Sequence, residues 1–180
     1  MGRAIYVSSV NGDDANSGYA PEKAFRSLRK VNQMEIQPGD QILLERGSVF
    51  AGEYLHLYRG GTKEAPVVVD AYGEGALPRI EADGNGIWYQ NYGGHLDNVV
   101  HTWKGYLSSA VLLYDAEYIT VRNLEITNGP LVKNERMNQA DRMNRTGVSV
   151  IAQNHGTLHQ IELAYLYVHD VEGNIYDKHL

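Results

Sequence analysis

Four side chains near the end of this 180-residue chain have the types and spacing for proton transfer: Glu125, Tyr167, His169 and Asp170. They lie in two segments that share one pattern. Tyr118 to Asn128 reads as a bent pair of short strands, and Gln160 to Asp170 repeats it. The apolar positions match at a constant offset of 42: Ile119 with Ile161, Val121 with Leu163, Leu124 with Leu166, Ile126 with Val168. Strand side chains alternate between faces, so these positions point inward and Glu125, Thr127, Tyr167 and His169 point outward. Neighbouring strands lie about 4.8 Å apart, which sets Glu125 beside Tyr167 and Thr127 beside His169. Asp170 falls just past the strand. A carboxylate, an imidazole and a phenol on one outer face suit general acid–base work on an acetal such as a glycosidic bond. The competing reading is a solvated sheet face with no chemistry.

Two flanking stretches carry further candidates. Residues 129–146 contain Arg136, Arg142 and Arg145 and leave from the end of the first repeat. Their forked guanidinium groups match carboxylates of acidic sugars. Residues 83–105 contain Trp88, Tyr89, Tyr92 and Trp103, whose rings either stack on sugars or anchor the stretch to the body of the protein. Both stretches are long for ordinary connections. Asn11-Gly12-Asp13-Asp14-Ala15-Asn16 fits a calcium loop poorly, since Ala15 and Asn16 fall at positions that need a ligand and a glycine. His155 and His159 lack a zinc-like context. No phosphate loop or nucleophile elbow is present. The expectation is a site with no metal and no cofactor.

The elements that position these residues are mostly short strands. Ala4–Ser8, Ile42–Glu45, Tyr54–Leu57, Pro66–Tyr72, Pro78–Glu81, Val111–Leu113 and Gly147–Val150 all read as strands. Pro21 opens one amphipathic helix over 21–34, with Phe25, Leu28, Val31 and Met34 on one stripe. The 19 glycines and 13 tyrosines suit a turn-rich β protein. A net charge of −6 argues against nucleic acid as a partner, and no apolar run approaches the ~20 residues of a membrane span. There are no cysteines, so disulfides and thiol chemistry are excluded. No leader precedes the first strand, so the expectation is a secreted protein with its leader removed, or else a cytoplasmic one. The repeat runs on to the end of the chain without a capping element. That predicts the first part of a longer protein, and self-association through the uncapped C-terminal end.

Tyr6-Val7-Ser8, Gly12-Asp13-Asp14, Ser17-Gly18, Pro21, Phe25-Arg26-Ser27-Leu28 and Pro38-Gly39-Asp40-Gln41-Ile42-Leu43-Leu44 resemble the N-terminal capping segment of right-handed parallel β-helix proteins of pectate-lyase-like type. Ala71-Tyr72-Gly73-Glu74-Gly75 with Pro78-Arg79-Ile80, and Val121 to Ile126, resemble their early rungs. The resemblance implies an all-β fold: a right-handed parallel β-helix (solenoid) with an N-terminal amphipathic capping helix. It implies a single domain over 1–180, with a cap at 1–40, rungs from 41, and insertions at 83–105 and 129–146. Relatives of this kind include glycoside hydrolases, polysaccharide lyases and tailspike-like proteins, and a fold does not choose among them. The leading expectation is a carbohydrate-active enzyme fragment, a glycoside hydrolase acting on a polysaccharide or oligosaccharide. Glu125, His169 and Asp170 are its catalytic candidates. Tyr167, Arg136, Arg142, Arg145, Trp88 and Trp103 are its substrate contacts. The alternatives are a β-helical polysaccharide lyase and a non-catalytic glycan-binding or adhesin-type protein.

Overall fold

The computed structural model describes residues 2–91, 104–129 and 144–172. Thirteen strands appear among them, in three sheets. Sheet A holds β1 (Ala4–Val7), β2 (Gln41–Glu45), β5 (Val67–Tyr72), β9 (Ile119–Arg122) and β12 (Ile161–Ala164), in that order and parallel throughout. Sheet B holds β3 (Val49–Ala51), β6 (Arg79–Glu81), β10 (Glu125–Asn128) and β13 (Tyr167–Val171), also parallel. Sheet C joins β4 (Leu55–Leu57), β8 (Lys104–Tyr114) and β11 (Asn144–Ile151) in parallel, with β7 (Ile87–Asn91) antiparallel to β8.

This arrangement corrects the single right-handed parallel β-helix solenoid expected from the repeat. The strands form separate sheets, and one of them is mixed. Part of the expected insertion at 83–105, Ile87 to Asn91, turns back and pairs along β8, with Trp88 opposite Leu107 and Tyr89 opposite Tyr106. The strand at Val49–Ala51 is a further departure. Only Phe50 of its three residues is buried, too short a pattern to read from the sequence.

The helix over 21–34 is corrected too. A single 3-10 turn spans Pro21–Lys23, and α1 covers only Leu28–Asn32. Between them Ala24 is extended, and Phe25 donates its N–H to Tyr6 O at 2.9 Å, forming a bridge beside Val7. Asp14 holds the interruption open by accepting the N–H groups of Arg26 and Ser27, both at 2.9 Å. The every-third-residue stripe therefore arises from an extended Phe25 followed by a short helix. Leu28 and Val31 still face the core, as the stripe requires.

The repeat positions the site. Corner residues take left-handed backbone angles in both copies: Tyr118 (φ 50°) with Gln160 (φ 49°), and Asn123 (φ 58°) with Tyr165 (φ 52°). Asn and Asp tolerate this region best, so a tyrosine there is held by its surroundings. The corner at Asn123 turns the chain from β9 in sheet A to β10 in sheet B. Its side chain donates to Asp70 Oδ1 at 2.7 Å, which fixes the bend. Ile119, Val121, Leu124 and Ile126 are all buried in one core with Ile5, Leu44, Val69 and Ile80.

Candidate active site

Strand pairing in sheet B brings the acid–base residues together. Register sets Glu125 between Arg79 on β6 and Tyr167 on β13. Thr127 faces Glu81 on the β6 side. On the β13 side the repeat loses its register. Glu125 pairs with Tyr167 and Ile126 with Val168, but Asn128 pairs with Val171, so β13 carries one extra residue. The extra residue lies at His169-Asp170, and Asp170 takes a left-handed φ of 47°. Bulges re-aim side chains and gather next to active sites, and they are rare in parallel pairs. Here the bulge turns Asp170 outward beside His169.

His169 is the centre of the cluster. Its Nε2 lies 3.0 Å from Glu125 Oε1, and its Nδ1 lies 3.1 Å from Asp170 Oδ2. Both carboxylates are acceptors, so both contacts are satisfied only when each ring nitrogen carries a proton. Glu125 first, and Asp170 second, therefore raise the His169 pKa above its ordinary value against an opposing desolvation cost. Tyr167 stacks on the imidazole with ring centroids 4.2 Å apart and planes 25° apart. Arg79 completes the row, with NH1 3.4 Å from Glu125 Oε1 and NH2 2.9 Å from Glu81 Oε1. The side chains of Glu125 and Glu81 are 20% and 26% exposed, whereas that of Asp170 is 55% exposed. Among the described carboxylates of the row, Asp170 has the best access to a substrate.

The expected neighbours Glu125, Tyr167, His169 and Asp170 thus meet. Arg145 lies at the end of β13, against the backbone two residues past Asp170. It donates from NH1 to Glu172 O at 3.1 Å and packs over Gly84. Trp88 is buried in a small apolar cluster with Leu112 and Ile151, and donates Nε1–H to Ser109 Oγ at 2.8 Å. Its ring serves packing in this structure. Arg136, Arg142 and Trp103 lie outside the described residues. Arg79 and Glu81 were missed by sequence reasoning. Arg79 precedes its partner Glu125 by 46 residues, so the constant offset of 42 gave no pointer to β6.

No protein-family profile matches the chain. Comparison with known proteins nevertheless finds close likeness to carbohydrate-active proteins over nearly its whole length. A lacto-N-biosidase of Bifidobacterium longum subsp. longum is 40% identical over 203 aligned positions, covering 99% of this chain and 13% of that protein. The crystal structure of a GH136 lacto-N-biosidase from Eubacterium ramulus, in a selenomethionine derivative, superposes with a TM-score of 0.91 at 57% identity. The match covers 100% of this chain and 29% of the other. The native form gives 0.90 at 57% identity, covering 99% of this chain and 29% of the other. The chain therefore spans less than a third of the length of these relatives. Their names carry the carbohydrate-active part of the sequence reading and not its pectate-lyase-like part.

Proposed function

We propose that the whole protein is a glycoside hydrolase acting on oligosaccharides, with lacto-N-biosidase activity as the specific reaction, and that sheet B supplies one of its two catalytic carboxyl groups. The observation that carries this reading is the bulge that breaks the repeat at His169-Asp170. A bulge kept at a cluster of ionisable groups is the kind of feature that functional sites retain. The hydrolase names of the relatives support the same reading.

Asp170 acts as the general base. It takes a proton from the water that adds to the sugar carbon as the glycosidic C–O bond breaks, and the leaving oxygen receives its proton from a second carboxyl group. His169 holds the Asp170 carboxyl in place through Nδ1, and Glu125 and Tyr167 orient the imidazole. Tyr167 also offers a ring beside the scissile bond. A hydrolase needs a second carboxyl group across the bond. Glu125 is anchored by both Arg79 and His169, so that second group is assigned to the part of the protein outside these residues.

The test is incubation of the full-length protein with neutral and with uronic-acid-containing oligosaccharides, reading new reducing ends and the ultraviolet absorbance of an unsaturated product. Reducing ends alone support hydrolysis. An unsaturated product means elimination by a lyase, and a glycan that binds uncleaved means a binding protein.

A further inference from the structure

A well-formed cleft lies away from the acid–base cluster. It has a volume of about 630 Å³ and lies between the N-terminal segment and the β3–β4 turn. Asp14, Arg29 and Gln33 line one wall, and Gly52, Glu53 and Tyr54 the other. This volume falls within the range of small-molecule sites. β3 and β13 are opposite edges of sheet B, so strand spacing alone puts about 14 Å between the edge that carries this cleft and the edge that carries His169.

The lining combines hydrogen-bonding groups of both kinds with one aromatic ring. Glu53 accepts the N–H of Leu28 at 2.6 Å, and Asp14 takes the Ser27 hydroxyl at 2.6 Å, so both carboxyl groups are fixed in direction. Asn32 is committed to the backbone on both sides of its amide, donating to Tyr54 O and accepting from His56 N–H, each at 2.9 Å. These bonds make the wall rigid. Arg29 differs: its guanidinium is 3.7 Å from Asp14 and mostly exposed, which leaves its fork able to turn into the cleft. Burial pushes the Glu53 carboxyl up, so it offers a hydroxyl donor as well as an acceptor over part of the acidic range. A pyranose ring presents the matching chemistry, with hydroxyls at its rim and C–H groups on its faces.

We infer that this cleft is a second carbohydrate site, taking a neutral hexose unit against Tyr54 with its hydroxyls on Arg29, Gln33 and Glu53. The inference rests on the reading of the protein as carbohydrate-active, but needs no hydrolysis at sheet B. A site at this edge holds a sugar without cleaving it.

The test uses the full-length protein with methyl β-glycosides of galactose, glucose and N-acetylglucosamine as probes, followed by saturation-transfer NMR and titration. Arg29→Gln and Tyr54→Ala are compared with the unmodified protein, since Glu53 caps α1 and its loss could unfold the segment. The expected result is binding that weakens roughly tenfold in Arg29→Gln, the factor that one charge-assisted hydrogen bond commands. Oligosaccharide hydrolysis stays unchanged in that variant. The inference is overturned if no probe binds, or if binding survives both substitutions. It is also overturned if Asp170→Asn abolishes the binding while Arg29→Gln does not, which would place the sugar on sheet B. Failure of the hydrolase reading looks different, because it removes hydrolysis and leaves this binding in place.

Discussion

The strand pairs β9–β10 and β12–β13 have the same apolar pattern and the same left-handed corners, yet they have different surroundings. In the first pair Ile119, Val121, Leu124 and Ile126 are buried, with a strand on either side in both sheets. In the second, Leu163 is 45% and Val168 44% exposed, because β12 and β13 are the last strands of their sheets among the described residues. The pattern of a repeat thus sets which way a side chain points, while burial depends on what stacks against it. The two pairs also differ in one residue of backbone. The first continues regularly through Asn128, whose amide is buried and donates to Thr146 O at 3.0 Å and to Ser108 Oγ at 3.0 Å. The second inserts a residue at the same level and turns out Asp170. One copy uses the position to tie sheets B and C together, and the other exposes a carboxylate there.

The sharpest way to break this comparison is to change Asp170. Asp170→Asn in the full-length protein should lower kcat on oligosaccharides by about 10²–10⁴, the scale of general acid–base catalysis, with little change in KM. Asp170→Gly should lose as much activity while retaining stability, since glycine accepts the left-handed φ without strain. Thermal melts and steady-state kinetics of the two variants separate these effects.

Burial gives the next largest difference. Leu124→Ala should destabilise this chain by about 2–5 kcal/mol, the usual range for a filled core position. Leu163→Ala, at a half-exposed position, should cost about 1 kcal/mol or less. Urea denaturation of both variants checks the contrast. Equal losses would mean that the second pair is as fully covered as the first.

A smaller effect concerns protons. His169 should titrate above the ordinary histidine value of about 6.5, and Glu125→Gln should bring it back down. Because the folded-state value is raised, the associated stabilisation is present in full below the unfolded value and is lost as pH rises through the folded one. Imidazole NMR signals followed against pH read this directly. A midpoint at or below about 6.5 would mean that the two carboxylates do not hold the proton. The smallest effect is association. The exposed face of the second pair should make this chain form oligomers at high concentration, whereas a sharp monomer by light scattering would count against that.

The alternation around Glu125, Tyr167 and His169 was legible because a constant offset and a two-residue period fix both face and neighbour. Glu125 does lie opposite Tyr167. The bulge was not legible, since nothing in Tyr-Leu-Tyr-Val-His-Asp marks an extra residue until the pairing with Asn128 is seen. Arg79 and Glu81 were hidden by a different spacing between β6 and β10, which the repeat does not share. The helix is shorter than its stripe because Phe25 keeps the helical period while its backbone is extended. The antiparallel β7 lies in a stretch rich in aromatic residues, which fit a sugar platform and a strand equally well.

The central claim is that Asp170 takes a proton from the water that attacks the sugar. The most direct measurement compares Asp170→Asn with the unmodified full-length protein on two substrates. One is an oligosaccharide with an ordinary sugar leaving group, and the other is the matching aryl glycoside with an acidic phenol. The account predicts a large loss on both, because a good leaving group does not replace the base that activates water. A much smaller loss on the aryl glycoside, or no loss on either, would contradict it.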